Sequence, residues 1–281
     1  MSTTAPDPRP VDDLIVLGGR RPWREDLPEI WQRRHFAWAL ARSEVRANHL
    51  DSSLGQLWQV LNPAFMISIY FVIFGVVLDA RRGVEHYVTF LVTGVLVFRF
   101  TQNIVTGCAQ TLTRNTGLLR SIQFPRSVLP ISVGLGEVLT LLPGLVLILV
   151  VAAFDGVRPG WELALLPLVL TGAGAMALGF GFIVARAAST VPDVNQLLPH
   201  VFRVLLYVSG VLFSVDVMID TAWVRDLFAV NPFYCAITAV RWAILGVPTP
   251  ASVGISLALW SLATLTVGAT WFRRGEHRYG A

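Results

Sequence analysis

Lysine is absent from the 281 residues, so all 22 basic side chains are arginines. That absence excludes a phosphate-binding loop of the G-x-x-x-x-G-K-[ST] type, whose lysine sits on the nucleotide phosphates. If ATP drives this chain, a separate subunit must bind it. Charged residues make up only 14% of the sequence, too few for a soluble domain of this size. There are two cysteines, Cys108 and Cys235, with no metal-ligand spacing around them. No metal site is expected. The histidines (His35, His49, His86, His200 and His277) are dispersed, which argues against a membrane glycosyl- or acyltransferase built on clustered His or Asp. The arginines stand beside apolar runs rather than on one soluble face, so a nucleic-acid partner is not expected either.

What the sequence does have is apolar residues, at 54%, gathered in runs of about 20, the length that crosses a bilayer. The fold expected is an all-α integral membrane protein. Six spans are predicted, at about 56–78, 87–111, 128–154, 161–185, 197–213 and 251–272. Residues 1–26 hold four prolines and only one short apolar run, Leu14–Leu17, and read as a flexible cytoplasmic arm without a signal peptide. Residues 27–53 read as an amphipathic helix in the headgroup region, with Leu27, Ile30, Trp31, Trp38, Ala41 and Val45 on its apolar face. Residues 54–281 form the spanning domain. Segment 214–250 is too long for a turn and too mixed for a simple span, and a broken segment needs protein or a cavity to shield its backbone.

Orientation follows from arginine. Fifteen fall in the segments that would be inside and five in those outside, placing both termini in the cytoplasm. Cys108 and Cys235 then lie on opposite sides and cannot pair. The inner loop after the second predicted span reads Asn115-Thr116-Gly117-Leu118-Leu119-Arg120-Ser121-Ile122-Gln123-Phe124-Pro125-Arg126-Ser127-Val128-Leu129-Pro130, with no acid in it.

The ordered string Asn-x-x-Leu-Leu-Arg, Phe-Pro-Arg, Leu-Pro resembles the coupling segment of ABC-2 type carbohydrate exporters, the family of O-antigen, teichoic acid and capsule exporters. Two further stretches are similar to that family in the same order. Leu54-Gly55-Gln56-Leu57-Trp58-Gln59-Val60-Leu61-Asn62-Pro63 resembles the start of its first span, and Asn231-Pro232 with Arg241 and Gly246 resembles its outer motif. Val191-Pro192-Asp193-Val194 matches the connection between the fourth and fifth spans in part, with Pro192 where the family often has arginine. The resemblance implies short re-entrant helices before the last span and a homodimer with two copies of a P-loop ATPase that holds ATP and Mg. It also implies a polyprenyl-linked glycan as cargo in a lipid membrane. No cofactor is expected on this chain, and it is not an enzyme by itself. The lysine-free, GC-rich composition suggests an actinobacterial cell-wall galactan exporter as the specific case.

In that family the coupling segment is a short helix seated on the ATPase. Here it would comprise Asn115, Gly117, Leu118, Leu119, Arg120, Ile122, Phe124, Pro125 and Arg126, with Leu118, Leu119 and Ile122 as anchor and Asp193 on the second inner loop beside them. Charged residues inside spans are functional suspects, which selects Arg99 and Glu137, whereas Arg203 snorkels near an inner end. Tyr70, Phe71, Phe74, Tyr207 and Phe213 put aromatic faces on the first and fifth predicted spans, where sugar C–H faces can pack. Ordinary interhelical and interfacial packing is the better account of any one of them, and the wall reading belongs to the set. Export of a small lipid or drug is the alternative within this class. An ion-coupled secondary transporter is a weaker one, for want of an internal repeat.

Overall fold

The computed structural model describes Pro28 and residues 31–47, 57–121 and 124–275. The predicted arm 1–26, Gly55 and Ile122 lie outside the described residues, as does the side chain of Arg120. Every regular element among those residues is helical: α1 (Arg34–Ala47), α2 (Leu57–Tyr70), α3 (Tyr87–Arg114), α4 (Thr116–Ser121), α5 (Val128–Phe154), α6 (Leu166–Thr190), α7 (Val194–Val208), α8 (Val215–Met218), α9 (Ala222–Val230), α10 (Pro232–Leu245) and α11 (Ala251–Arg274). A π-helical stretch, Phe71–Val77, extends α2, and a short 3₁₀ turn, Trp161–Leu165, leads into α6.

Helix α3 is the centre of the bundle. In its apolar stretch 78% of residues are buried, against 17% in α5 and 22% in α11. Small residues set its neighbours. Gly174 and Gly181 on α6 face α3, where an added Cβ would stand 3.4 Å from the Phe100 ring and 2.7 Å from the Cys108 sulfur. Gly172 and Gly179 look the other way, onto Leu257 and Thr264 of α11. At that crossing Gly268 meets Gly179 backbone to backbone, and Ser261 and Thr264 donate to the Gly172 and Met176 carbonyls at 2.8 and 3.2 Å. Helices without a hydrophobic drive between them associate through such close approach and interhelical hydrogen bonds. The four glycines thus work as two pairs, one per partner.

Two expectations change. Among the described residues four helices are long and apolar enough to cross a membrane, or five if the pair Trp223–Val230 and Pro232–Leu245, bent by 91°, is taken as one span. The first predicted span is a shorter apolar helix by that measure, over Leu61–Val77, and the helix of the fifth does not reach it. Helix α7 has 15 residues, about 22 Å of rise. It stops at Val208 because Ser209-Gly210 turns the chain, with Gly210 at φ 59°. The other change concerns α1. Its buried face carries Ala37 and Ala41 with half-buried Phe36, Leu40, Glu44 and Val45, whereas Trp31 and Trp38 are 69% and 37% exposed. Small Ala41 lets the α1 backbone come within 3.7 Å of a Cβ built at Gly136 of α5. The tryptophans point away, with Arg34 and Arg42 over their rings at 5.1 and 5.2 Å.

Candidate functional site

The resemblance motifs fall at the two ends of α3, and the suspected path residues fall along it. At the Arg114 end, the chain turns once at Asn115 and forms α4 before Phe124 and Pro125 lead into α5. Asn115 Nδ2 donates back to the Thr111 carbonyl at 2.9 Å and so closes α3. Thr116, Gly117 and Ser121 are exposed, and nothing lies within 4 Å of a Cβ built at Gly117. Leu118, Leu119 and Phe124 are half-buried against this chain's own core. Phe124 meets Phe36 of α1 edge to face, ring centroids 5.5 Å apart. Arg126 is half-buried and Asp193 is exposed at the start of α7. The short helix expected from the sequence is therefore present over Thr116–Ser121, with part of its apolar surface already used inside the chain.

Glu44 of α1 belongs to this end as well, and sequence reading missed it. Burial pushes its carboxyl above the ordinary value, against the opposing pull of a hydrogen bond with Asn115 and the charge of Arg114.

Along α3, Arg99 stands between two clefts. One, of about 190 Å³, is shared with Trp58, Asn62, Asn103, Glu137 and Thr140. There Asn103 Nδ2 donates to Glu137 Oε2 at 3.1 Å, and no ion pair joins Arg99 to Glu137 among the described residues. The other, of about 250 Å³, lies between α2 and α7 and holds Tyr70, Gln102 and Arg203. Tyr70 is within electrostatic reach of Arg99 and Tyr207. Tyr70, Tyr207 and Arg99 are thus brought together. Phe74 meets the Tyr70 ring at 6.5 Å, Phe71 packs on Tyr87 at 6.3 Å, and Phe213 packs on Phe228 at 6.5 Å, away from that cleft.

The Tyr87 end carries the Asn-Pro…Arg…Gly motif, and each residue of it has a physical task. Asn231 caps α10: its Oδ1 accepts from the backbone N–H of Phe233 and Tyr234 at 3.0 and 3.4 Å. Its Nδ2 donates to the Val208 carbonyl and the Ser209 hydroxyl at 3.2 and 3.1 Å, tying α10 to the end of α7. Pro232 occupies the first helical position, where no N–H is needed. Gly246 ends α10 in the left-handed conformation, φ 65°. Arg241 is buried, 5% exposed, and its guanidinium donates to the carbonyls of Phe90 (3.2 Å), Gly210 (2.8 Å) and Val211 (2.7 Å) while lying over the Phe90 ring. It clamps α3, α10 and the turn after α7 together.

Tyr87, Thr89 and Asp155 extend this set and were not singled out from sequence. Tyr87 Oη donates to the Leu212 carbonyl at 2.9 Å. Thr89 gives both its N–H and its hydroxyl to Asp155 Oδ2, at 3.1 and 2.8 Å. The available signal was a polar residue at each apolar boundary, which is common and points nowhere alone. Among the described residues no group of three or more His, Cys, Asp or Glu could hold a metal.

Residues 36–245 match the family profile described as "ABC-2 type transporter". The chain is 26% identical over 213 residues to an O-antigen export system permease protein, RfbA, of Myxococcus xanthus, covering 76% of this chain and 81% of that protein. It is 27% identical over 246 residues to the polysialic acid transport protein KpsM of Escherichia coli, with 85% and 92% covered. An inner membrane transport permease, YadH, of Escherichia coli (strain K12) is 25% identical over 257 residues, 86% and 98% covered. With the matched stretch running from α1 through the capped and clamped α10, this chain belongs to the ABC-2 type transporter family.

Proposed function

We propose that the chain is the permease subunit of an ATP-driven exporter that moves a lipid-linked polysaccharide from the cytoplasmic to the outer face of the membrane. The observation that carries this reading is the isolated helix α4, exposed on one side and set at the hinge between α3 and α5, in a chain whose relatives include O-antigen and polysialic acid permeases. The working unit is a homodimer with two P-loop ATPase subunits, which carry the ATP and Mg. The chain crosses the membrane six times, counting α2 with its π-helical extension and α7 with the turn that follows. Both termini are cytoplasmic, so the Arg114 end faces the ATPase and α1 lies along the inner headgroups.

ATPase closure pushes on α4. Because α4 leads directly into α3 and α5, the push reaches the most buried helix of the bundle, while the Arg241 clamp fixes its other end. The cleft between α2 and α7, with Tyr70, Arg99 and Arg203, lies along the segment that moves, and a dimer mate would close it from the exposed side. Glu137 with Asn103 lines the neighbouring cleft of the same path. Export of a small lipid or drug is the second reading; the YadH relative, named only as a transport permease, leaves room for it.

The test is genetic and biochemical. Deleting the gene should abolish one surface glycan, and the purified chain should recover an ATPase subunit from the host with two copies of each. Because Leu118 and Leu119 also pack on this chain, Leu118→Asp with Leu119→Asp would confuse docking with folding. Gly117→Trp separates the two: open space at Gly117 means stability within about 0.5 kcal/mol of the parent, while ATPase recovery and export fall. Normal export by a folded Gly117→Trp chain would remove α4 from the coupling role.

A further inference from the structure

A cavity of about 790 Å³ opens at the Tyr87 end, apart from the two clefts beside Arg99. Small-molecule sites run from about 300 to 1,000 Å³, so its size suits a ligand. Glu85, Asp216 and Asp226 bring carboxylates to its wall, Arg225 brings N–H groups, His86 brings an imidazole whose Nδ1–H is given to the Asp155 carbonyl at 3.0 Å, and Tyr234 brings a ring. The wall is set in place by the clamp already described, since Arg241 also lines the cavity while bound to three carbonyls. Arg225 is held in the wall by its own hydrogen bond, Nη2 donating to the Asp220 carbonyl at 3.0 Å.

The mixed signs of the wall choose the ligand. A small anion would meet three carboxylates. A divalent cation would need converging His, Cys, Asp or Glu donors, and no such group of three occurs among the described residues. An apolar molecule would leave the acids and Arg225 without partners. A neutral molecule with many hydroxyls answers every group: each hydroxyl can donate to a carboxylate and accept from an N–H. Its C–H faces can pack on Tyr234, whose ring is apolar on its faces and polar at its tip.

We propose that this cavity is a saccharide subsite that holds neutral sugar units of the exported glycan as they leave the membrane at the Tyr87 end. The assignment rests on the export reading above and adds a place where the sugar is held after crossing.

The experiment uses the full chain with its ATPase in nanodiscs of phosphatidylethanolamine and phosphatidylglycerol. The probe is the glycan released by mild acid from the surface of the producing cells. Saturation-transfer NMR should show sugar protons in contact with the wild-type complex. Glu85→Gln with Asp226→Asn, and separately Arg225→Gln, should weaken that binding about tenfold or more, roughly one lost hydrogen-bond set. Arg158→Gln, in the other turn at this end, should leave it unchanged, and all variants should match the parent in thermal unfolding. Equal sugar signals in folded wild type and variants overturn the subsite, as does transfer to the phosphatidylethanolamine headgroup instead of sugar. No sugar signal at all, from a chain whose deletion does abolish the surface glycan, overturns the subsite and leaves the export reading standing. Surface glycan that survives the deletion overturns the export reading, and the subsite falls with it for lack of a cargo.

Discussion

The two ends of α3 are held by different kinds of contact. At the Tyr87 end the partners come from far along the chain: Asp155 is 66 positions from Thr89, Leu212 is 125 from Tyr87, and Arg241 is 151 from Phe90. These are hydrogen bonds in a low-dielectric setting, directional and costly to leave unmade. At the Arg114 end Asn115 donates to the Thr111 carbonyl four positions back and shares one hydrogen bond with half-buried Glu44 of α1, and the other long-range contacts include the Phe36–Phe124 ring pair and half-buried leucines. Apolar contacts keep most of their energy through small shifts, whereas a carbonyl clamp does not. One end of the central helix is therefore a pivot and the other can move. An exporter driven from the Arg114 end needs that division.

The sharpest way to break the comparison is to remove the clamp. Arg241→Met should leave the carbonyls of Phe90, Gly210 and Val211 without their donor, at about 1–3 kcal/mol for each orphaned acceptor. A loss of about 3 kcal/mol or more in thermal unfolding of the purified chain is expected. Arg241→Lys should recover only part, because an ammonium cannot reproduce a planar fork that reaches three acceptors. A stable Arg241→Met chain would mean that the Tyr87 end is no pivot.

The clamp can also be disturbed from the other side. A Cβ at Gly94 would stand 2.8 Å from the Val211 carbonyl oxygen and collide with the Arg241 guanidinium. Gly94→Ala should cost about 1–3 kcal/mol as an overpacking change. In combination with Arg241→Met the two losses should fall short of their sum, because both act on one contact. Full additivity, measured by unfolding of the double variant, would show that Gly94 and Arg241 act separately.

Asp155→Ala tests the third tie, which is only half-buried. It removes the acceptor for the Thr89 N–H and hydroxyl. Water can replace part of what is lost, so about 1 kcal/mol is expected, with faster amide exchange confined to the first turns of α3 and the turn at 155–160. Faster exchange at α4 instead would show that the two ends are not mechanically distinct.

How much of this could be read in advance depends on what each feature is made of. The all-helical membrane fold and the helix after Asn115 were legible because apolar run length and an ordered motif are local properties of sequence. The broken segment before the last span was legible from its mixed composition, and Asn231, Pro232 and Gly246 do what those residue types do at helix ends anywhere. Arg241 was legible as part of a motif but not as a clamp, since its three acceptors are backbone carbonyls and carry no sequence signal. The first predicted span, 56–78, lies over the continuous helix Leu57–Val77, whereas the fifth, 197–213, begins and ends later than Val194–Val208. Hydropathy does not register the change to π-helix at Phe71 or the left-handed turn at Gly210. Of the apolar face read for α1, Ala41 and Val45 pack toward Gly136 of α5, a contact that a helical wheel does not identify, while Trp31 and Trp38 stay exposed. Of the aromatics read from the first and fifth predicted spans, Tyr70 shares a cleft with Arg99, while Phe213 packs on Phe228, a partner no spacing rule indicates.

The smallest expected effect is at the mobile end, and it has a sign. Glu44 is half-buried on α1 beside Asn115, and burial raises its carboxyl pKa above 4.5 despite the Asn115 hydrogen bond and the Arg114 charge. A raised folded-state value means that the docked form binds the proton more tightly than the undocked form. Docking of α1 should therefore be strongest below about 4.5, where Glu44 is protonated in both forms, and should weaken as pH rises through the raised value. Above the raised value the whole penalty is in place. A spin label at exposed Ala39, followed from about pH 4 to pH 8, should become more mobile over the acidic part of that range. Glu44→Gln should abolish the acidic step and hold the label in its low-pH state throughout. If the acidic step persists in Glu44→Gln, the carboxyl beside Asn115 does not govern how firmly α1 is held.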